Sequence, residues 1–335
     1  MSNTHPPAKQ PSDKNLTPRP PLRKQRGGEN QTITTPRIGD DNTIVQRSLL
    51  RDFWRRLLTN KVAVLSLFTL IGLILIAAVG PVIYPQAPNT PDYKAINALP
   101  SAAHWFGTDN LGRDTLARVI YGLRVSLLVA FYVEILNMVL GTSLGLLAGY
   151  FGGILDVLVT RLADMLFAFP GLLLAILVAA TFGGAVTERF GGIGRLLLVA
   201  GSLSLVSWPL MARFVRSQTL VIREQDYVMA ARSLGSRNSW IILRHILPNV
   251  LGLIVISSTL DIASVVVNEA VLSLLGLGIQ PPDPSIGKMI TEATPYLESN
   301  ALQVFFPSAV LMLIVLTVSF LGDGLRDAVD PQSLR

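Results

Sequence analysis

Ionisable side chains inside apolar stretches are the first candidates for chemistry, because each costs roughly 2.5 to 3.5 kcal/mol at mid-membrane on insertion scales. Glu134, Asp261 and Glu269 are of this kind, and none has an obvious partner close in sequence. Such carboxylates line a polar passage and meet a substrate amine, relay protons, or are satisfied by neighbouring helices. Arg161 and Asp164 lie three apart on one helical face and can pair with each other. His104, Asp109 and Asp114 are metal-ligating types, but acidic helix caps beside a lone His are common without metal, and no metal site is read here. With no Cys and three scattered His, disulfides and thiolate metal sites are excluded. No Ser, His and acid share a common depth, and nothing resembles the phosphate-cradling G-x-x-x-x-G-K-[ST]. The chain is therefore not read as an enzyme and does not hydrolyse ATP itself.

A second group of residues could carry recognition instead of reaction. In the polar stretch Gln225 to Asn249, Tyr227, Ala230, Ala231 and Leu234 fall at i, i+3, i+4 and i+7, a small-residue stripe along a short helix. Alanines there let a partner approach closely. Gly235 follows where a helix needs a left-handed residue to stop, and Ser236 is placed to cap a second helix carrying Trp240, Leu243 and Leu247 on one side, until Pro248 limits it. The pattern is helix, Gly turn, helix. A DNA-binding helix-turn-helix has the same outline, but apolar flanks on both sides hold this one at a membrane, so nucleic acid is not a partner.

The elements that position these groups follow from composition. Half of the 335 residues are apolar, 15% are charged and the mean hydropathy is +0.49, the balance of an integral membrane protein. Residues 1–45 have the Pro-, Lys-, Asn-, Thr- and Gln-rich composition of a disordered tail. Residues 46–61 set Leu50, Phe53, Trp54, Leu57 and Leu58 against Arg51, Arg55 and Arg56, as in an amphipathic helix at the lipid interface. Six spans are expected within 62–321: Val62 to Tyr84, Val125 to Tyr150, Val157 to Phe182, Leu196 to Val215, Val250 to Leu275 and Val304 to Leu321. The first is too long for a signal-peptide core and stays as an anchor. Gly141, Gly145, Gly149 and Gly153 form a stripe for close helix packing, while Pro170 and Pro209 are expected kinks.

Orientation follows from charge. Twelve of the 28 Lys and Arg precede Val62, and Arg213, Arg216, Arg223, Arg232, Arg237 and Arg244 surround the loop 219–249, whereas 276–303 holds only Lys288. The positive-inside rule then puts both termini, including the segment 322–335, and the 219–249 loop in the cytoplasm. Outside lies the run FGTDNLGRDTLARVIYGLRVSL from Phe106 to Leu127, in which Thr108, Asp109 and Asp114 read as turn and cap residues. A second external turn, shaped by Gly276, Gly278, Pro281, Pro282 and Pro284, falls within 270–290.

These motifs together resemble the inner-membrane permease subunits of ATP-binding-cassette importers, in the dipeptide, oligopeptide and nickel branch. The family's cytoplasmic loop reads EAA, three residues, Gly, nine residues, I, one residue, LP. Met229, Ala230, Ala231, Gly235, His245, Leu247 and Pro248 take these places, with Met229 standing where the family has Glu and His245 where it has Ile. The GTD and GRD run, the LGLG, QPP and GKMI succession and the ending GDGLRDAVDP extend the resemblance from about residue 47 to the C-terminus. It implies an all-α, six-helix bundle of the type I importer kind, in a bacterial inner membrane, whose coupling helix docks in a cleft of an ATPase. The implied partners are a second homologous permease, two ATPase subunits that use the ATP, and an extracytoplasmic substrate-binding protein; this chain binds no cofactor. Small peptides are the implied substrates, with nickel an option. A proton-coupled secondary transporter or channel built on Glu134, Asp261 or Glu269 is the rival reading, and it gives the central loop no purpose.

Overall fold

The computed structural model describes residues 49–329 except 282; the segment 1–45 lies outside the described residues. All its regular elements are helical. In chain order they are α1 (Leu49–Thr59), α2 (Lys61–Ile83), α3 (Thr115–Phe151), α4 (Gly153–Phe167), α5 (Gly171–Arg223), α6 (Asp226–Ser233), α7 (Asn238–Ile241), α8 (Leu247–Leu274), α9 (Ile286–Ala293) and α10 (Leu302–Val329). A π-helical turn, Ile242–Ile246, joins α7 to α8. Among the described residues, five helices are long and apolar enough to cross a membrane: α2, α3, α5, the run Asn238–Leu274, and α10.

The expected third span, Val157 to Phe182, is not one helix. α4 stops at Phe167, and Pro170, with ψ 118, stands before α5 instead of bending a helix from within. Proline lacks the N–H that a continuing helix would use and forces the preceding residue out of the helical region. The fourth span is absorbed into α5, whose 53 residues are interrupted at Gly191, where φ 63 and ψ −151 are accessible to glycine alone. Gly171 abuts Val206, Gly183 abuts Arg195, and Gly194 abuts Val186. These pairs converge on Gly191, so α5 is a hairpin of two antiparallel arms. Pro209 lies inside the second arm, as the sequence suggested.

Lipid tails are as apolar as leucine, so packing rather than hydrophobicity holds such helices together. The glycine stripe serves this purpose. A Cβ on Gly141, Gly145 or Gly149 would lie 2.6 Å from Met211 Cβ, 2.6 Å from the Ala212 carbonyl oxygen and 2.7 Å from Thr219 Cβ, respectively. α3 therefore seats directly on the second arm of α5. Gly153 does not continue the stripe: it opens α4 with φ 58 and faces nothing within 4 Å. The central core gathers Leu123, Val129 and Val133 of α3, Val199 and Leu203 of α5, Val266 and Leu272 of α8, and Ile314 and Val318 of α10.

In α1, Leu57 is buried against Ala63 and Ala328 while Trp54 and Leu58 are exposed. Asn60 caps α2 by accepting from the Val62 and Ala63 amides. The C-terminal segment expected over 322–335 is a continuation of α10 as far as Val329, and 330–335 lie outside the described residues. α4 is bound to the second arm of α5 by Asp156 with Arg216 and Asp164 with Arg213. Asp164 thus pairs across helices and not with Arg161, because helix α5 brings a guanidinium to its face.

Candidate coupling and passage sites

The stretch between α5 and α8 folds as helix, Gly turn, helix. α6 ends in a paired closure in which the Gly235 amide donates to Arg232 O at 3.0 Å and the Ser236 amide to Ala231 O at 3.1 Å. This closure requires a left-handed residue, and Gly235 supplies it with φ +79. Ser236 does not cap the next helix. Arg237 holds the cap position of α7 with no side-chain bond. Nor does Pro248 end the winding: the π-helical turn of residues 242–246 precedes it and the helix runs on to Leu274, with Pro248 in the first turn of α8. A wider π-turn accommodates the amide that proline cannot donate.

Val228 and, in part, Ala231 face inward to a cluster with Leu146, Tyr150, Val215, Ile241 and Ile246. Polar ties reinforce the seat. Tyr150 Oη donates to Asn238 Oδ1 at 2.8 Å, the Arg232 guanidinium lies 5.3 Å above the Tyr150 ring, and Arg223 Nη1 donates to Gly149 O at 2.8 Å. The loop is thereby clamped to the end of α3 and the end of α5. Outward it presents Tyr227, Met229, Ala230, Leu234 and Gly235, with Leu234 87% exposed. Pro248 is also exposed, whereas Leu247 packs on the inner cluster. The sequence stripe is therefore split: Tyr227, Ala230 and Leu234 face outward, and Ala231 sits at the margin of the chain's own core. His245 is wedged between Trp240, edge-on at 4.8 Å, and Tyr227 at 5.9 Å.

The three intramembrane carboxylates are not brought to one place. Glu269 is wholly enclosed and accepts from Ser126 Oγ at 2.9 Å and Ser273 Oγ at 2.7 Å, with Ser285 Oγ 3.0 Å from Ser273 Oγ. It ties α3 to α8 and to the turn before α9. Glu134 and Asp261 are neighbours in space. Asn137 Nδ2 lies 3.2 Å from Asp261 Oδ2 and 2.8 Å from Ser207 Oγ, and its Oδ1 accepts from Ser204 Oγ at 2.9 Å. Asp261 borders a cavity of about 300 Å³ lined also by Ser207, Ser257 and Ser264.

At the other end of α3, Asp114 caps the helix by accepting from the Ala117 amide at 2.8 Å. Its second oxygen receives Tyr84 Oη at 2.9 Å and lies 2.8 Å from His104 Nδ1. Burial, then this hydrogen bond and the charge of Asp114, push the Tyr84 hydroxyl up to about 12. Asp109 is held by Arg113 Nε at 2.7 Å and Arg118 Nη1 at 2.9 Å, and both guanidiniums also reach Glu292 of α9, at 3.0 and 2.7 Å. Asp109 and Asp114 thus spend their lone pairs on protein donors, and His104 Nδ1 faces the Asp114 carboxylate. The external turn expected over 270–290 is helical to Leu274 and again from Ile286, where Ser285 accepts from the Lys288 amide.

Sequence reasoning passed over Arg195, which is buried and donates to the carbonyls of Gly278, at 2.8 Å, and Leu277. It also passed over Asn137. An amide one helical turn from Glu134 in an apolar helix was the available signal.

A helical bundle with a clamped, outward-facing loop is the architecture of a transporter's membrane component, and comparisons with known proteins agree. Residues 141–335 match the family described as binding-protein-dependent transport system inner membrane component, and residues 48–100 match the N-terminal transmembrane domain of oligopeptide transport permease C. The chain belongs to the first of these families, as a permease subunit of an ATP-binding-cassette importer of the peptide branch. It is 39% identical over 284 residues to the dipeptide transport system permease protein DppC of Alkalihalophilus pseudofirmus, covering 84% of this chain and 90% of that one. To the glutathione transport system permease protein GsiD of Pectobacterium atrosepticum it is 41% identical over 300 residues, 89% of this chain and 95% of that one. The fold is shared with inward-facing structures of the MetNI methionine ABC transporter, at a TM-score of 0.51 and 19% identity, over 64% of this chain and 98% of that one. Family members are membrane proteins that transport without being enzymes and have no cofactor of their own.

Proposed function

We propose that this permease pairs with a second, homologous permease and two ATPase subunits, and takes small peptides from an extracytoplasmic binding protein into the cytoplasm. The observation that carries this reading is the outward face of α6, clamped to α3 and α5 yet left open. In this reading Tyr227, Ala230, Leu234, Gly235 and Pro248 enter a cleft of the ATPase, while Ala231 and Leu247 seat the loop on its own bundle. ATP binding closes the ATPases, the clefts move the loops, and the bundle turns between outward- and inward-open states. Met229 makes this docking apolar where other members of the family place an acid.

Basic residues around the loop favour a cytoplasmic position for it and for both termini. Each arm of α5 then crosses once: residues 171–190 span roughly 30 Å at helical rise, enough for the bilayer core. α1 lies at the cytoplasmic interface. The relatives named for dipeptides and glutathione favour small peptides as cargo. Asp261 borders the passage with Glu134 behind it, and Glu269 serves as an internal tie. The test is reconstitution of the complete complex with its binding protein in liposomes: dipeptide uptake that requires ATP supports the proposal, and uptake driven by a proton gradient without ATP overturns it.

A further inference from the structure

Along α8, Ser257, Asp261, Ser264 and Asn268 recur at intervals of four, three and four, which aligns them as one polar row on an otherwise Leu-, Ile- and Val-rich helix. The row is open: Ser264 is exposed and the other three are half-buried. Asp261 borders both the cavity of about 300 Å³ and a smaller one of about 40 Å³ that reaches Asn268. Ser207 borders both.

Behind Asp261 stands Glu134. It is 5% exposed, and neither of its carboxyl oxygens makes a close hydrogen bond, with Asp261, Ser258 and Asn137 beside it at longer range. Among the described residues no Lys or Arg pairs with either acid. By contrast, Arg213 and Arg216 on the second arm of α5 are taken by Asp164 and Asp156. An open carboxylate facing lipid would carry the full insertion cost, so this row faces a polar space. Asp261, with Ser207 on the same cavity and Asn137 beside it, makes that space attractive to a cation.

We propose that Asp261, backed by Glu134, receives the protonated α-amino group of a peptide in transit. A primary ammonium offers three donors, which suits one carboxylate and the flanking hydroxyls of Ser207 and Ser264. Asp261 is the contacting residue. Two carboxyls this close in a buried site do not both ionise, so the pair presents one charge to the cavity, carried by Asp261; Glu134 is a positioning residue that does not reach the cavity. This inference rests on the peptide reading above.

The chain contains no Cys, so Ser264→Cys places one thiol in the cavity with both acids intact. In membranes holding the assembled complex, modification of this thiol is followed with an ammonium-bearing and a sulfonate-bearing methanethiosulfonate, each normalised to free cysteine. The cationic reagent is expected to be favoured about tenfold, as one unpaired charge at short range dictates. Adding Asp261→Asn should remove most of that preference, whereas Asp261→Glu and Glu134→Gln, which leave a carboxylate at the cavity, should keep it. Alanyl-alanine should slow the modification, and N-acetyl-alanyl-alanine should not. Equal rates for the two reagents, or equal protection or none from the two peptides, overturn the proposal. ATP-driven uptake of alanyl-alanine by the unaltered complex tests the peptide reading separately: if uptake fails while the cationic preference persists, the cargo is wrong and the cation site stands.

Discussion

The two ends of α3 are held by opposite means. At Thr115, a capping carboxylate, a tyrosine hydroxyl, an imidazole and a four-membered ion network of Asp109, Arg113, Arg118 and Glu292 fix the helix to α2 and α9. At Phe151, the helix is held mainly by glycines that let α5 approach and by an apolar cluster beneath α6, with single polar ties from Tyr150 to Asn238 and from Arg223 to the Gly149 carbonyl. Charge-assisted bonds are directional and set register, whereas apolar contacts tolerate sliding.

The contrast can be broken in graded steps. The largest effect is expected at the packing seam. Gly145→Leu drives its side chain into the Ala212 carbonyl and Val215; it should cost about 3 kcal/mol and appear as loss of folded permease by size exclusion after solubilisation. Arg118→Ala at the opposite end leaves Asp109 and Glu292 short of a donor, a loss of about 2 kcal/mol after allowing for their partial exposure. It should lower the melting temperature while ATPase binding persists. Gly235→Ala meets no neighbour within 4 Å, so only the left-handed φ opposes it, at about 1 kcal/mol. That cost should be read as weaker ATPase binding with little change in melting temperature.

The smallest effect concerns Tyr84. Its hydroxyl is raised above the ordinary tyrosine value, so the native state holds this proton more tightly than the unfolded chain does. The stabilisation is complete below about pH 10 and disappears as pH rises through about 12. The melting-temperature difference between the natural chain and Tyr84→Phe should therefore shrink over that window. A constant difference would deny the Tyr84–Asp114 bond its role.

Features set by local chemistry were legible in the sequence. Gly235 had to be left-handed, Asp114 had to cap, and the glycines at 141, 145 and 149 had to face a helix. Features created by distant segments were not. Hydropathy runs through Phe167 to Phe182 without marking that Pro170 divides it, and the bend at Gly191 is hidden in a Gly-rich stretch that also permits a helix. Asp164 had a nearer cation in Arg161, yet Arg213, 49 residues away, takes it. The pairing of Glu134 with Asp261, and the burial of Ala231 in contrast to Ala230, depend on how α3, α6 and α8 meet. No periodicity within one helix carries that information.

The central claim is that the outward face of α6 is the ATPase-docking surface. It is tested most directly by purifying the tagged chain from its native membrane with and without Ala230→Trp, a change on the exposed face that leaves the inner cluster alone. The natural chain should bring down an ATPase and a second permease, and the variant should retain the permease and lose the ATPase. Equal recovery of the ATPase with both would contradict the account.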